Sequence, residues 1–194
     1  MGGRLFVISG PSGVGKGTIR EVLLQRMPDL FLSVSATTRM ARAGEIEGVD
    51  YFFTSDLAFR QMIEEDKLLE HASVYSHYYG TPIEFVQKNL AEYRDVILEI
   101  DIQGAMQVKQ KMPQAIFIFI YPPSIEELAK RLFLRGKDSS ESIAERLAAS
   151  EAEMEWMSDY DYAVENNLLD AAVEKVQAII IAERCKIKKE VNDH

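Results

Sequence analysis

Apolar residues along this chain alternate between two spacings. Leu5-Phe6-Val7-Ile8 is an uninterrupted apolar run of the kind that forms a strand buried on both faces, and Gly10, Pro11, Gly13 and Gly15 stop it abruptly. Ile19, Val22, Leu23 and Met27 then recur at helical spacing, with Arg20, Glu21, Gln25 and Arg26 on the other faces, until Pro28 ends the pattern. Leu30 to Ser35 and Tyr51 to Thr54 read as strands, separated by the polar, glycine-punctuated segment from Arg39 to Asp50. The pattern predicts a helix from Ser55 to about Lys67, a short extended piece around Leu69 to Tyr75, and a helix after Pro82. Val96 to Asp101 and Ala115 to Tyr121 are strand-like, and each leads into a helical pattern. Ser124 with Glu127, and Ser142 with Glu145, have capping-box spacing and mark two helix starts. A last strand, Tyr162 to Glu165, precedes a helix from about Leu168 to Glu190.

Strands that alternate with helices at both ends of the chain imply an α/β fold, a parallel sheet covered by helices on both faces, because a parallel crossover needs a dozen or more residues. There is no repeat, low-complexity tract or linker long enough to separate two domains, so a single domain is expected. Its core would comprise about 1–30 and 95–194, with about 31–94 as an inserted lobe. Ligands gather beyond the carboxyl ends of parallel strands, where both the Gly10 loop and Asp101 fall.

Composition narrows the function. Of 194 residues, 31 are acidic and 22 basic, a formal net charge of -9, so the broad positive footprint of a nucleic-acid binder is missing. A bound polyanion must be held locally, which a few converging cations can do when the Debye length is about 8 Å. No apolar run approaches the roughly 20 residues of a membrane helix. Neither an export signal nor a lipid-anchor signal is read at the N-terminus, and the single cysteine, Cys185, reads as a reduced thiol. A cytoplasmic protein with no membrane partner is expected.

Gly10-Pro11-Ser12-Gly13-Val14-Gly15-Lys16 matches G-x-x-x-x-G-K, a backbone that curls tightly and aims its N–H groups at phosphate oxygens. It lies between a buried strand and an amphipathic helix, the context such a loop requires. Lys16 would supply a point charge to the outer phosphates, and the helix starting near Gly17 the positive end of its dipole. Where the hydroxyl that ligates magnesium directly usually follows the lysine, this chain has Gly17, and the hydroxyl comes one residue later on Thr18. This G-K-G-T form resembles nucleoside monophosphate kinases, which implies ATP as donor and Mg2+ held mainly through phosphates and water.

Ser33-Val34-Ser35-Ala36-Thr37-Thr38-Arg39, followed by Arg42, Gly44-Glu45, Gly48 and Asp50-Tyr51, closely resembles the stretch of guanylate kinases that binds guanosine monophosphate (GMP). Leu68-Leu69-Glu70, Tyr78-Tyr79-Gly80-Thr81, Leu98 to Gly104 and Pro122-Pro123-Ser124 stand in the order of that family, and the likeness runs from Leu5 to Asn167. It implies a P-loop kinase that transfers the terminal phosphoryl of ATP to GMP, and to dGMP, by direct in-line displacement. By the same resemblance Arg39, Arg42, Tyr51 and Tyr79 would hold the acceptor phosphate, and Ser35, Glu70, Thr81 and Asp101 would read its base. Arginine forks suit phosphate oxygens, and carboxylates suit the N1 and 2-amino donors of guanine, which adenine does not offer. Arg131, Arg135 and Arg146 would occupy a lid over about 131–146, and Asn166 would meet the adenine side. The sequence departs from the usual pattern at Met40-Ala41, where proline is common, and at Glu165-Asn166-Asn167.

Plainer readings exist for several of these residues. Glu70 could be a solvated strand carboxylate, Tyr51 and Tyr79 could pack between lobes, and Lys130, Arg131, Arg135 and Lys137 could be a solvated helix face. Glu99 could face the water shell of a metal or close an ion pair. His71, His77 and His194 show no ligand spacing. Two other functions compete: an interaction module that binds phosphorylated peptide in the acceptor pocket, and a P-loop kinase for another phosphorylated metabolite.

Overall fold

In the computed structural model, residues 2–74, 76–134 and 140–187 are described, with the side chains of 140–144 left out. Five strands form the larger sheet in the order β2-β7-β1-β8-β9: β1 (Leu5–Ser9), β2 (Leu30–Leu32), β7 (Asp95–Glu99), β8 (Ile116–Tyr121) and β9 (Tyr162–Glu165). Every pair in it is parallel. The continuous apolar run of β1 serves both faces. Phe6 and Ile8 point to one side, where Ile97, Ile118 and Ile120 join Ile19 and Leu23 of α1 (Lys16–Arg26) and Val173, Val176 and Ile180 of α7 (Leu169–Cys185). Leu5 and Val7 point to the other, where Val96, Leu98 and Phe117 meet Val86 of α3 (Ile83–Ala91) and Ala105 and Val108 of α4 (Ile102–Lys111). Helices therefore cover both faces, as the sequence predicts.

A second sheet, in the order β4-β3-β6-β5, is built from β3 (Ala36–Thr37), β4 (Phe52–Phe53), β5 (Leu68–Val74) and β6 (His77–Pro82), with α2 (Asp56–Glu64) packed against it through Phe59. Its β3–β4 pair is parallel and its β3–β6 and β5–β6 pairs antiparallel. The run from Leu30 to Ser35, expected as one strand, is strand only over its first three residues. Leu30–Leu32 pairs with β7 in the larger sheet, and the smaller sheet begins only at Ala36. Strand β6 had no alternation to announce it.

The remaining helices are α5 (Ile125–Leu134) and α6 (Ser140–Met154), followed by a short 3-10 turn over Glu155–Asp159. Ser124 Oγ accepts from Glu127 N–H at 3.2 Å, the cap its spacing predicts. α6 starts two residues before the Ser142 expected to cap it, and α7 ends at Cys185, short of the expected Glu190. Among the described residues no helix is long and apolar enough to cross a membrane.

Ile118 lies fully buried in the middle of the larger sheet. Ile118→Ala is expected to lower the unfolding free energy by about 2–5 kcal/mol in urea titration. The same truncation at Ile187, 84% exposed, should change it by less than about 0.5 kcal/mol.

Candidate active site

β1 ends at Ser9, and the chain curls from Gly10 to Gly15 before α1 begins. Gly15 has a left-handed φ of 99°, and a Cβ there would stand 2.6 Å from Asn166 Nδ2, so only glycine meets both demands. No side chain caps α1 and no acidic residue stands in its first turn, which leaves its N–H groups and dipole directed at the loop. Lys16 Nζ donates to the Gly10 carbonyl at 2.5 Å and the Pro11 carbonyl at 3.0 Å. Arg146 Nη2 donates to Ser12 Oγ at 2.7 Å, bringing α6 onto the loop. Arg131 Nη1 donates to the Asn166 carbonyl at 2.8 Å. Pro11 and Val14 are buried, Gly13 packs against Leu132 of α5, and Thr18 is exposed in the first turn of α1. Arg135 lies outside the described residues.

Asn166 carries a structural duty its sequence context conceals. Its side chain is buried beneath the loop, and Nδ2 donates to the Val14 carbonyl at 2.8 Å. Glu99, for which two readings stood open, forms an ion pair with Arg20 at 2.8 Å. Among the described residues no group of three or more His, Cys, Asp or Glu side chains could hold a metal ion. With Gly17 where a hydroxyl would ligate, the described residues offer no cage for a divalent ion.

On the lobe, Arg39 forms a two-pronged pair with Glu45, Nη2 to Oε1 at 2.8 Å and Nη1 to Oε2 at 3.0 Å. Its guanidinium lies 5.4 Å from the ring centre of Tyr51, and the Tyr51 and Tyr79 rings meet edge to face at 6.0 Å. Arg39, Tyr51 and Tyr79 thus form one cluster. Arg42 is joined to it through its N–H, which donates to Glu45 Oε2 at 2.7 Å, while its side chain is exposed. Glu45 is the residue the sequence reading missed; the only sign of it was its place in the Gly44-Glu45 pair. Paired carboxylate and guanidinium shift each other, Glu45 downward and Arg39 upward.

At the root of the lobe, Thr81 Oγ donates to Glu70 Oε1 at 2.7 Å, both residues being buried. Asp101 caps α4, its Oδ1 accepting from Gly104 N–H at 2.7 Å. A Cβ at Gly104 would come within 3.0 Å of Glu70 Oε2 and 3.3 Å of Asp101 Oδ1, so the bare glycine makes room for both carboxylates. Ser35 stands at the start of this lobe, with its carbonyl accepting from Phe52 N–H at 2.9 Å. A cavity of about 450 Å³ is lined by His71, Tyr78, Asp101, Gln103 and Glu153 among others. Burial pushes the carboxyl of Glu153 upward, while the Lys16 charge and a hydrogen bond from the Ser12 N–H pull it down, so this cavity-lining residue stands next to the phosphate loop.

The guanylate kinase family model matches residues 2–183. This chain belongs to the guanylate kinase family. It is 61% identical over 186 residues to a guanylate kinase of Syntrophomonas wolfei, covering 96% of this chain and 95% of that one. A guanylate kinase of Caldanaerobacter subterraneus is 57% identical over 187 residues, at 96% and 91% coverage. The crystal structure of guanylate kinase from Anaplasma phagocytophilum superposes with a TM-score of 0.74 at 32% identity, covering 95% of this chain and 88% of that one.

The two carboxylates at the lobe's root differ. Burial pushes the Glu70 carboxyl up to about 7, and neighbouring Asp101 pushes in the same direction, against the Thr81 hydrogen bond. A carboxyl whose folded-state pKa is raised favours folding while protonated, and that contribution is lost as pH rises from the ordinary 4.5 through about 7. Glu70→Gln keeps an acceptor for Thr81 and cannot ionise. It should therefore raise the melting temperature of the nucleotide-free protein at pH 8, with the difference vanishing below about pH 4.5, as thermal scans across pH would show.

Proposed function

We propose that this enzyme transfers the terminal phosphoryl of ATP to GMP or dGMP, giving ADP and the diphosphate, through the residues gathered around the Gly10 loop and the Arg39 cluster. The observation that carries this reading is the cavity lined by Tyr78, Asp101 and Glu153, the last of which takes a hydrogen bond from the Ser12 N–H of the phosphate loop. The loop N–H groups and Lys16 would take the outer phosphates of ATP in place of the Gly10 and Pro11 carbonyls. Arg39, Arg42, Tyr51 and Tyr79 would hold the GMP phosphate, which competes with Glu45 for the Arg39 fork. Glu70 and Asp101 would accept from N1 and the 2-amino group of guanine, while Ser35 and Thr81 supply hydroxyls. All these residues address base or phosphate, groups that GMP and dGMP share.

The attacking group is a phosphate oxygen of GMP, already largely ionised near neutrality because the second phosphate pKa is about 6, so no general base is needed. Its lone pair forms the new P–O bond as the bond to the β-phosphate oxygen of ATP breaks, and ADP leaves with the electron pair. Arg131, Arg135 and Arg146 would disperse charge on the transferring group. Mg2+ would travel with the nucleotide phosphates and their water, in keeping with the lack of a carboxylate or histidine cage among the described residues.

A coupled ADP-release assay with a panel of nucleoside monophosphates tests this. Turnover is expected with GMP and dGMP, with AMP slower by about 10⁴-fold. Lys16→Ala should lower kcat by roughly 10²-fold or more. Equal rates with AMP would overturn the base-reading set. Nucleotide-independent binding of phosphopeptide without turnover would favour the interaction module instead. Because guanine needs ionised Glu70, the KM for GMP should rise as pH falls below about 7.

A further inference from the structure

Strand β5 carries one residue too many. Leu68 pairs with Pro82 and His71 with Gly80, three steps on β5 against two on β6, so Leu69 and Glu70 together oppose Thr81. In an unbroken strand side chains alternate, and Glu70 would share the side of Leu68, which packs into the lobe's own core with Phe59. The bulge turns it to the side of Leu69, which packs in the main core with Ala105 and Val108 of α4. There Glu70 Oε2 reaches the space left by Gly104. One extra residue thus moves this carboxylate out of the lobe interior to the face that meets Gly104 of α4.

A bulge at a sheet edge has unpaired backbone groups that let it slip, and β5 is the edge strand of its sheet. At His71, the first residue after the bulge, both groups are held by one side chain of α4. His71 N–H donates to Gln107 Oε1 at 3.0 Å, and Gln107 Nε2 donates to the His71 carbonyl at 3.1 Å. The primary amide copies the donor and acceptor of a neighbouring strand residue. Gln107 lies one turn beyond Gly104 on α4, so the helix that accommodates Glu70 also fixes the strand that presents it.

We infer that Gln107 is a positioning residue for guanine recognition: its two-way bond to His71 locks the β5 bulge in the register that aims Glu70 at the base. This rests on the reading of Glu70 as a base contact. Gln107 touches neither nucleotide in that reading, and its loss should be felt in base selectivity while the donor side is spared.

The test compares Gln107→Leu, Gln107→Glu and Glu70→Gln with the parent enzyme, measuring KM for GMP, KM for ATP, kcat, and preference for GMP over inosine monophosphate, which lacks the 2-amino group. Gln107→Leu is expected to raise the KM for GMP roughly tenfold, leave the KM for ATP within about twofold, and shrink the preference for GMP. Gln107→Glu keeps the acceptor for His71 N–H and loses the donor; it should fall between, and it serves if the leucine variant does not fold. A change in GMP parameters with Glu70→Gln but not with either Gln107 variant would overturn the inference and leave the Glu70 reading standing. No change with Glu70→Gln would overturn that reading and the inference with it. An equal rise in both KM values would make Gln107 a merely structural clasp and also overturn the inference.

Discussion

Two polyanions must meet end to end in a protein whose own formal charge is -9. Coulomb repulsion between the phosphates at contact distance has to be offset by donors within a few ångströms, since charge farther than a Debye length counts for little. On the proposed reading this is met by cations that are already held in place. Lys16 rests on two loop carbonyls, Arg39 in the fork of Glu45, Arg131 on the carbonyl of Asn166, and Arg146 on Ser12. Each side chain is ordered before phosphate arrives, so the entropy of fixing a long cationic chain is not added to the work of binding. The Glu45 fork is the exception in kind, because on that reading a phosphate would compete there with a carboxylate.

The core that carries these groups is ordinary in its physics. The apolar residues of β1 serve two opposite helical layers, and its carboxyl end opens into the phosphate loop. Asn166, arriving from β9 at the far side of β8, braces the loop from below through the Val14 carbonyl. The loop is thus supported by a strand more than 150 residues away in sequence.

That separation explains what could be read from the chain and what could not. The buried strands, the helices α1, α2 and α3 and the phosphate loop announce themselves through local periodicity and glycine spacing, and the Arg39 and Glu70 segments through their likeness to guanylate kinases. Strand β6 did not, because Tyr78-Tyr79-Gly80-Thr81 has no alternation and gains its partners only from β3 and β5. The shortening of the 30–35 run depends on β7 pairing only with Leu30–Leu32, a contact invisible locally. Within the site, the brace of Asn166 is settled by a partner that folding brings close, whereas the Glu45 fork and the Asp101 cap close on neighbours six and three residues away and show only once the loop and helix start are built. The bulge in β5 is the clearest case: nothing in Leu68-Leu69-Glu70 marks an extra residue, yet it decides which way the carboxylate faces.

The central claim is that the donor loop and the acceptor cradle hold their phosphates side by side in one cleft. Adenosine and guanosine joined through five phosphates measure this directly, since a linker that spans both sites turns the second binding event into an intramolecular one. By calorimetry this compound should bind at least 10²-fold more tightly than ATP or GMP alone, with a stoichiometry of one and a gain lost in Lys16→Ala and in Arg39→Ala. Binding no tighter than that of ATP alone would mean that the two sites cannot be engaged together, and would contradict the account.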